Sequence, residues 1–152
     1  AKDEDRNIRL EVAKKDEIPV KTLRLLASDE YWRVRYEVAR NLATPAESLR
    51  ILAEDENWDV CFEIAKNAAT LAETLRLMAR DENWAIRYSI ANNPSAPCDV
   101  LILFAEDDNH NVRHAVAENP NTPRDTLAVL AEDLDAKVAQ AALQRFYSED
   151  GE

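Results

Sequence analysis

Residues 107–131 read DDNHNVRHAVAENPNTPRDTLAVLA, and the pattern of this stretch recurs along the chain with a period of 26 residues. A branched apolar residue follows the first aspartate of every period by five positions, and an alanine follows it by ten positions in five of the six periods. The recurring aspartates are Asp3, Asp29, Asp55, Asp81, Asp107 and Asp133. No insertion interrupts the count, which is the signature of an array of structural repeats.

The first part of each repeat has the apolar spacing of a helix. In the second repeat Val34, Val38 and Leu42 fall on one face of a helix from about Tyr31 to Asn41. A helix of about ten residues is marginal in water on its own, but stacked copies can bury their apolar faces against one another. The pattern therefore predicts a solenoid of short helices.

The second part of the second repeat begins with a helix-start signal, Thr44-Pro45-Ala46-Glu47, which recurs in modified form at Thr70 and at Thr122. We expect the threonine oxygen to accept a hydrogen bond from a free backbone N–H, the proline to take the first helical position, and Glu47 to reach back. The helix that follows is predicted to place Leu49, Ile51 and Leu52 in the core.

Composition favours an all-α fold. Hydrophobic residues make up 46% of the chain, which is enough for a continuous core. Gly151 is the only glycine, whereas the tight turns of a β-rich fold favour glycine, so such a fold is disfavoured. Ala, Leu, Glu and Arg are strong helix formers. We predict a single array over residues 1–147 and an acidic tail over residues 148–152. The predicted repeats are 1–26, 27–52, 53–78, 79–104, 105–130 and 131–147.

The last of these repeats is predicted to be a C-terminal cap. Gln140, Gln144 and Arg145 are interpreted as replacing apolar or small residues there, and Phe146-Tyr147 is expected to fold back over the end of the array.

Charge and cysteine usage restrict the partners and the compartment. The net charge of −11, with no run of more than two basic residues, argues against binding to nucleic acid or to an anionic membrane. No apolar stretch reaches transmembrane length, and no signal peptide is evident. Cys61 and Cys98 do not form a CxxC pair, so we expect reduced thiols in a cytoplasmic protein.

The repeat unit Asp-x4-Val-Arg-x2-Val-Ala-x-Asn-x2-Thr-Pro-x3-Leu-x2-Leu-Ala resembles the leucine-rich repeat variant family, a relative of HEAT and armadillo repeats. The resemblance covers essentially the whole chain. It implies a right-handed α-solenoid of about six two-helix repeats, in which some helices are 3₁₀. Some members carry a cysteine-rich iron–sulfur segment, but no such cluster is present here, so we expect no cofactor. The family is not tied to one activity.

The resemblance also implies that an aspartate and an arginine of neighbouring repeats form a pair, and an arginine can donate several hydrogen bonds to a carboxylate. Arginine stands six positions after the aspartate in four repeats, Cys61 interrupts the series, and Ala139 ends it. A row of asparagines at the end of the first helix is expected to bond free carbonyls or the turn. The residues of this predicted structural ladder are Asp29, Arg35, Asp81, Arg87, Asp107, Arg113, Asn41, Asn67, Asn93 and Asn119.

A row of aromatic residues is the main candidate for function. On a helical wheel, Trp32 and Tyr36 fall roughly opposite the face of Val34 and Val38. An apolar patch rimmed by charge commonly marks an interaction site, and Trp and Tyr are enriched at interface hot spots. The alternative is that these rings fill the seam between repeats, where alanine leaves room. We call the following residues the aromatic row: Trp32, Tyr36, Trp58, Phe62, Trp84, Tyr88, His110 and His114.

Catalytic and metal chemistry find little support in the sequence. His110 and His114 lie four residues apart, a spacing that can hold a metal, but His-Asn-Val-Arg-His lacks the glutamate of a zinc-protease motif. The acidic corners lack the glycine of a calcium loop, and no glycine-rich phosphate loop is present. We predict no catalytic residues and no metal ligands.

The leading hypothesis is a monomeric scaffold that binds another protein or a peptide of basic or mixed charge through the aromatic row. The alternatives are a structural or designed repeat module without a ligand and, on the two histidines alone, a metal-binding protein or an enzyme.

Overall fold

The computed structural model describes residues 2–148, with side chains described from residue 5 onward. Within that range the chain forms eleven α-helices and neither strands nor 3₁₀-helices, so the all-α helical repeat fold is confirmed, and the 3₁₀-helices that the resemblance implied do not occur there. Ala1, the side chain of Asp3, and residues 149–152 of the predicted acidic tail lie outside the described residues. The helices are α1 (Lys2–Ala13), α2 (Val20–Leu26), α3 (Trp32–Arg40), α4 (Ala46–Leu52), α5 (Trp58–Lys66), α6 (Ala72–Met78), α7 (Trp84–Ala91), α8 (Cys98–Phe104), α9 (His110–Glu118), α10 (Arg124–Leu130) and α11 (Ala136–Ser148).

Packing divides the chain into an N-terminal unit, Ala1–Thr74, and a C-terminal unit, Leu75–Glu152. In the N-terminal unit α1, α3 and α5 pack side by side, with α2 and α4 against them. In the C-terminal unit α7, α9 and α11 pack side by side, with α8 and α10 against them. The six repeat boundaries stay predictions, since this division follows packing and not the period.

The core consists of the apolar residues of the first helices together with leucines of the second helices. Val34, Val38 and Ala39 of α3 are fully buried. Leu42, which the sequence pattern placed on the same face, is 69% exposed. The prediction was wrong because α3 ends at Arg40 and Asn41 is extended, so the chain leaves the helix before Leu42.

The apolar stripe of the second helices is narrower than predicted. Leu49 and Leu52 of α4 are buried, whereas Ile51 is exposed. Leu49 and Leu52 lie three residues apart on one face, and Ile51 is rotated by about 200° from Leu49. One face of a seven-residue helix is therefore sufficient to close the core.

A threonine precedes three of the second helices, and the one before α4 does not cap that helix in the way the sequence indicated. Pro45 is the N-cap residue, with extended backbone (φ −59°, ψ 141°), and no side chain caps α4. The Thr44 hydroxyl instead donates a 2.6 Å hydrogen bond to the carbonyl of Val38 in the last turn of α3. Thr70 and Thr122 make the same bond to Ile64 and Val116. The threonine therefore satisfies a carbonyl at the end of the preceding helix.

Glu47 does not reach back to the helix start either. Its carboxylate accepts a 3.1 Å hydrogen bond from Nη2 of Arg50, one turn further along α4. The first helices α5, α7 and α9 have side-chain caps, which α2, α4, α8 and α10 lack. Asn57, Asn83 and Asn109 each accept a hydrogen bond from the backbone N–H two residues later, as N-cap residues do.

The end of the described chain is a continuous helix. Phe146 and Tyr147 were expected to fold back over the array, but α11 continues through Ser148 and contains both rings. The guanidinium of Arg124 lies 4.0 Å from the centre of the Phe146 ring, and this contact holds Phe146 against α10.

Candidate functional site: the aromatic row

Arginine and aspartate side chains join neighbouring repeats within each unit. Arg35 Nη2 donates to Asp55 Oδ1 at 2.9 Å, while Nη1 of the same side chain donates to the carbonyl of Asp29 in its own repeat at 2.8 Å. Asp55 Oδ1 also accepts the backbone N–H of Asn57, which closes the turn before α5. The same arrangement links Arg87 to Asp107 and Arg113 to Asp133.

Two of these ion pairs lower the pKa of their carboxylate. The hydrogen bond from Arg113 holds the pKa of Asp133 below its ordinary value. Burial alone would raise the pKa of Asp107, but the hydrogen bonds from Arg87 and from the N–H of Asn109 outweigh it and lower the pKa. Carboxylates that are this firmly paired stabilise the stack and are poor proton acceptors for catalysis.

Cys61 stands where the other repeats carry the arginine, and it is buried. Its Sγ donates to the carbonyl of Asp55 at 3.2 Å, which reproduces the bond that Arg35 makes to Asp29. A thiol carries no positive charge, so this repeat lacks the guanidinium that the ladder has elsewhere.

The asparagine row closes the other end of the first helices. Asn67 Nδ2 donates to the carbonyl of Ala39 in the preceding repeat at 2.7 Å, and its Oδ1 accepts the N–H of Ala69. Asn119 makes the equivalent bonds to Ala91 and Asn121. Asn41 reaches Lys15 at 3.4 Å and caps its own turn, and Asn93 accepts the N–H of Ser95.

The sequence analysis missed one member of this row. Arg145 lies 26 residues after Asn119, and its Nη1 donates to the carbonyl of Asn119 at 2.6 Å. The position in the period was the available signal, since Arg145 replaces an asparagine and not an apolar residue.

In the aromatic row, the rings form pairs along the first helices. Trp32 lies against Tyr36 on α3, Trp58 against Phe62 on α5, and Trp84 against Tyr88 on α7. The ring centres in all three pairs are 6.3 or 6.4 Å apart in an edge-to-face arrangement, as expected for residues one helical turn apart. Each Trp is thus held in place by the ring that follows it.

The pairs differ in exposure. Trp32, Tyr36 and Phe62 are half-buried. Trp58 is 56% exposed, Trp84 46% and Tyr88 40%. His110 is exposed and His114 is half-buried on α9. The rings of the middle repeats therefore offer a considerable apolar area to solvent.

Cations of the chain itself lie over several of these rings, which the sequence analysis did not anticipate. The Arg33 guanidinium is 5.4 Å from the centre of the Trp32 ring, and that of Arg40 is 5.6 Å from the centre of the Tyr36 ring. The Lys66 ammonium is 5.1 Å from the centre of the Phe62 ring. A basic residue four positions after an aromatic ring on a helix was the sequence signal for the last two contacts.

Buried carboxylates position two of these cations. Glu37 accepts a hydrogen bond from Arg40 at 3.2 Å, and Glu63 accepts one from Lys66 at 3.3 Å. The side chains of both glutamates are largely buried. Burial, together with the nearby charge of Glu63, raises the pKa of the Tyr36 hydroxyl.

A groove opens beside the first ring pair, in the N-terminal unit. Its volume is about 370 Å³, which suits one or two side chains of a partner. The lining residues are Leu10, Lys14, Trp32, Arg33, Tyr36, Glu37 and Asp59.

The two histidines are not gathered with other metal ligands. His114 Nδ1 lies 3.4 Å from a carboxylate oxygen of Glu118, its neighbour one turn later. Among the described side chains, those of residues 5–148, no cluster of three or more His, Cys, Asp or Glu has the geometry to hold a metal ion. The described helices also include none that is both long and apolar enough to cross a membrane.

Comparison with known proteins places the chain among helical repeats. Residues 110–135 match the model of the family described as leucine rich repeat variant. A solved structure described as a leucine-rich repeat variant with a novel repetitive structural motif is 29% identical, with a TM-score of 0.74 over 94% of this chain. The resemblance drawn from the repeat unit is thereby confirmed.

The chain spans 57% of the length of that solved structure. An engineered protein is 16% identical over 94% of this chain and 87% of its own, with a TM-score of 0.47, and supports no argument. No curated protein matches the chain.

Proposed function

We propose that this chain, an array of leucine-rich repeat variant repeats, is a scaffold that binds another protein or a peptide through the aromatic row. The observation that carries the proposal is the exposure of Trp58 and Trp84, each held by a second ring one turn away. The N-terminal unit contributes two ring pairs, and the C-terminal unit contributes one ring pair and the two histidines.

Exposed rings in this setting favour a binding role. Half-exposed tryptophans leave much apolar surface in water, which is unfavourable without a binding partner. A tryptophan at the same position of consecutive repeats is therefore more easily explained by a binding role than by chance substitution. Tryptophan and tyrosine are the residues whose removal most often costs an interface more than 2 kcal/mol. The edge-to-face pairs restrict the rings before binding, which reduces the entropy lost when a partner docks.

The charge of the chain favours a partner that carries basic groups. The net charge is −11, and the carboxylates of Glu37 and Glu63 lie beside the rings. A positive partner would be attracted over long range and would meet aromatic faces, which attract cations.

We further propose that the chain acts as a monomer in the cytoplasm, and that its role is binding and not catalysis.

The test is affinity capture with the chain as bait. Partners retained by the wild type should be lost or reduced at least tenfold by Trp58→Ala or Trp84→Ala, because each removes a hot-spot ring. Circular dichroism should show unchanged helix content, since both rings are partly exposed.

The matched control is Leu25→Ala. Leu25 is 77% exposed on α2, so the variant removes a similarly accessible apolar side chain outside the aromatic row. If the partner sets of the wild type and both tryptophan variants are identical, the aromatic row is not the binding site and a structural module without a ligand becomes the better interpretation.

A further inference from the structure

The three ring pairs differ in a graded way in the cations that cover them. In the first pair, Arg33 lies over Trp32 and Arg40 over Tyr36. In the second pair the residue after the tryptophan is Asp59, and only the position four residues after the second ring is still basic, with Lys66 over Phe62. The position over the tryptophan ring has thus lost its cation in the second pair.

The third pair has lost both cations. Ala85 stands where Arg33 stands in the first pair, and Asn92 stands where Arg40 does. The Asn92 side chain turns back and donates to the carbonyl of Tyr88 at 3.0 Å, so it is engaged with its own helix. Among the described residues, no Arg or Lys lies over either ring of this pair.

Exposure follows the same order. Both rings of the first pair are half-buried, one ring of the second pair is exposed, and both rings of the third pair are exposed. The distance between ring centres hardly changes through the series, and all three pairs are edge-to-face. The first pair differs in its cover: the two cations lie over its rings, and Trp32 also meets the ring of Tyr31 at 6.5 Å.

The charge around the third pair favours a cation from outside the chain. The C-terminal unit has seven Lys and Arg against fourteen Asp and Glu, a net charge of −7, whereas the N-terminal unit has twelve against sixteen, a net charge of −4. Of these seven basic residues, Arg87 and Arg113 are engaged with Asp107 and Asp133. The unit with the uncovered rings is thus the more acidic of the two.

We propose that the Trp84–Tyr88 pair is a subsite for an arginine or lysine side chain of the protein partner. The side chain would occupy the place over the rings that Arg33 and Arg40 occupy over the first pair. This inference rests on the proposed function and adds the chemistry of one contact. A cation over an aromatic face contributes about 2- to 30-fold in affinity, depending on its desolvation.

The direct test uses a defined peptide and the indole N–H signals of the three tryptophans in an NMR spectrum of the full chain. The peptide is acetyl-tetraarginine amide, and its matched control is the tetracitrulline peptide, which has nearly the same shape without the charge. Each indole signal is assigned with a Trp→Phe variant. We expect the arginine peptide to shift the Trp84 signal saturably, to shift the Trp32 signal much less, and the citrulline peptide to shift neither.

Two variants exchange the cation pattern between repeats. Ala85→Arg with Asn92→Arg gives the third pair the cations of the first and should abolish the saturable shift of Trp84. Ala128→Arg adds charge to an exposed position of α10 in the same unit and should leave that shift intact apart from a modest weakening. Conversely, Arg33→Ala with Arg40→Asn gives the first pair the residues of the third, and should uncover both rings and make the Trp32 signal respond to the arginine peptide.

Equal shifts of all three indole signals, or equal responses to the arginine and citrulline peptides, would overturn the proposal, because they would indicate general attraction to an acidic surface or an apolar contact. An unmoved Trp84 signal would do the same. If Trp84→Ala still reduces partner capture in that case, the proposed function stands and only the cation subsite fails. If the peptide responds as expected while partner capture is unaffected by both Trp58→Ala and Trp84→Ala, the proposed function fails and the pair is a cation site that the captured partners do not use.

Discussion

At the residue scale, Arg35, Arg87 and Arg113 each bond to two repeats at once. Arg113 donates to the carbonyl of Asp107 in its own repeat and to the carboxylate of Asp133 in the next. Asp133 in turn accepts the N–H of Asp135 and so closes the turn before α11. Charge-assisted bonds of this kind are stronger than neutral ones, and here they also satisfy groups that burial would otherwise leave unpaired.

The pairing predicts loss of stability in acid. The folded-state pKa values of Asp107 and Asp133 are lowered, so their contribution is fully present above the unfolded pKa of about 4 and is lost as pH falls through the folded values. Urea unfolding between pH 7 and pH 2 should show a free energy of unfolding that falls below about pH 4. Asp133→Asn should be less stable at pH 7 and should show a weaker fall. A fall of equal size in the variant would mean that other carboxylates cause it.

At the scale of the element, each helix is too short to be stable alone and depends on bonds made to its ends. The second helices α2, α4, α6, α8 and α10 have seven residues each. Their neighbours provide the missing partners: the hydroxyl of Thr122 closes the end of α9, and the amide of Asn119 joins that end to the carbonyl of Ala91 in α7. Most of the recurring polar residues are therefore parts of the helix ends.

Removal of the Asn119 side-chain amide should lower the stability of the protein. Asn119→Ala removes the hydrogen bonds to Ala91 and to the N–H of Asn121 in a buried position, and we expect the free energy of unfolding to fall by about 1–3 kcal/mol. Chemical denaturation of the purified variant measures this. Asn111→Ala, an exposed asparagine on the same helix, should change it by less than about 0.5 kcal/mol. A similar cost in both variants would contradict the assigned role.

At the scale of the whole molecule, the net charge of −11 sets how a basic partner would approach. Long-range attraction acts mainly on the association rate, while contacts at the rings act on the dissociation rate. The proposed site therefore combines steering by the acidic surface with retention by Trp58 and Trp84.

Salt should separate these two contributions. Between about 10 mM and 150 mM ionic strength the Debye length falls from about 30 Å to about 8 Å. We expect the association rate of a captured partner, followed by surface plasmon resonance, to fall by about tenfold or more over that range, with a smaller change in the dissociation rate. Trp84→Ala should raise the dissociation rate and keep the same salt dependence of association. An association rate insensitive to salt would count against a basic partner.

The period, the all-α class and the predicted positions of the ladder residues follow from the sequence alone, because each repeat places the same residue types at the same helical positions. Val34 and Val38 could be assigned to the core for this reason. Leu42 and Ile51 could not be placed correctly, since their exposure depends on where α3 ends and on how narrow a face α4 buries.

In the candidate site, too, some features follow from the sequence and others only from the tertiary structure. The sequence by itself determined that rings recur opposite the core, at positions one turn apart. Only the tertiary structure decided which rings are covered, because that depends on the directions taken by long, flexible side chains. Arg40 extends over Tyr36 with Glu37 beside it, whereas Asn92 is too short to reach across Tyr88 and bonds its own helix instead. A residue at the same position of the period thus covers a ring in one repeat and leaves it open in another.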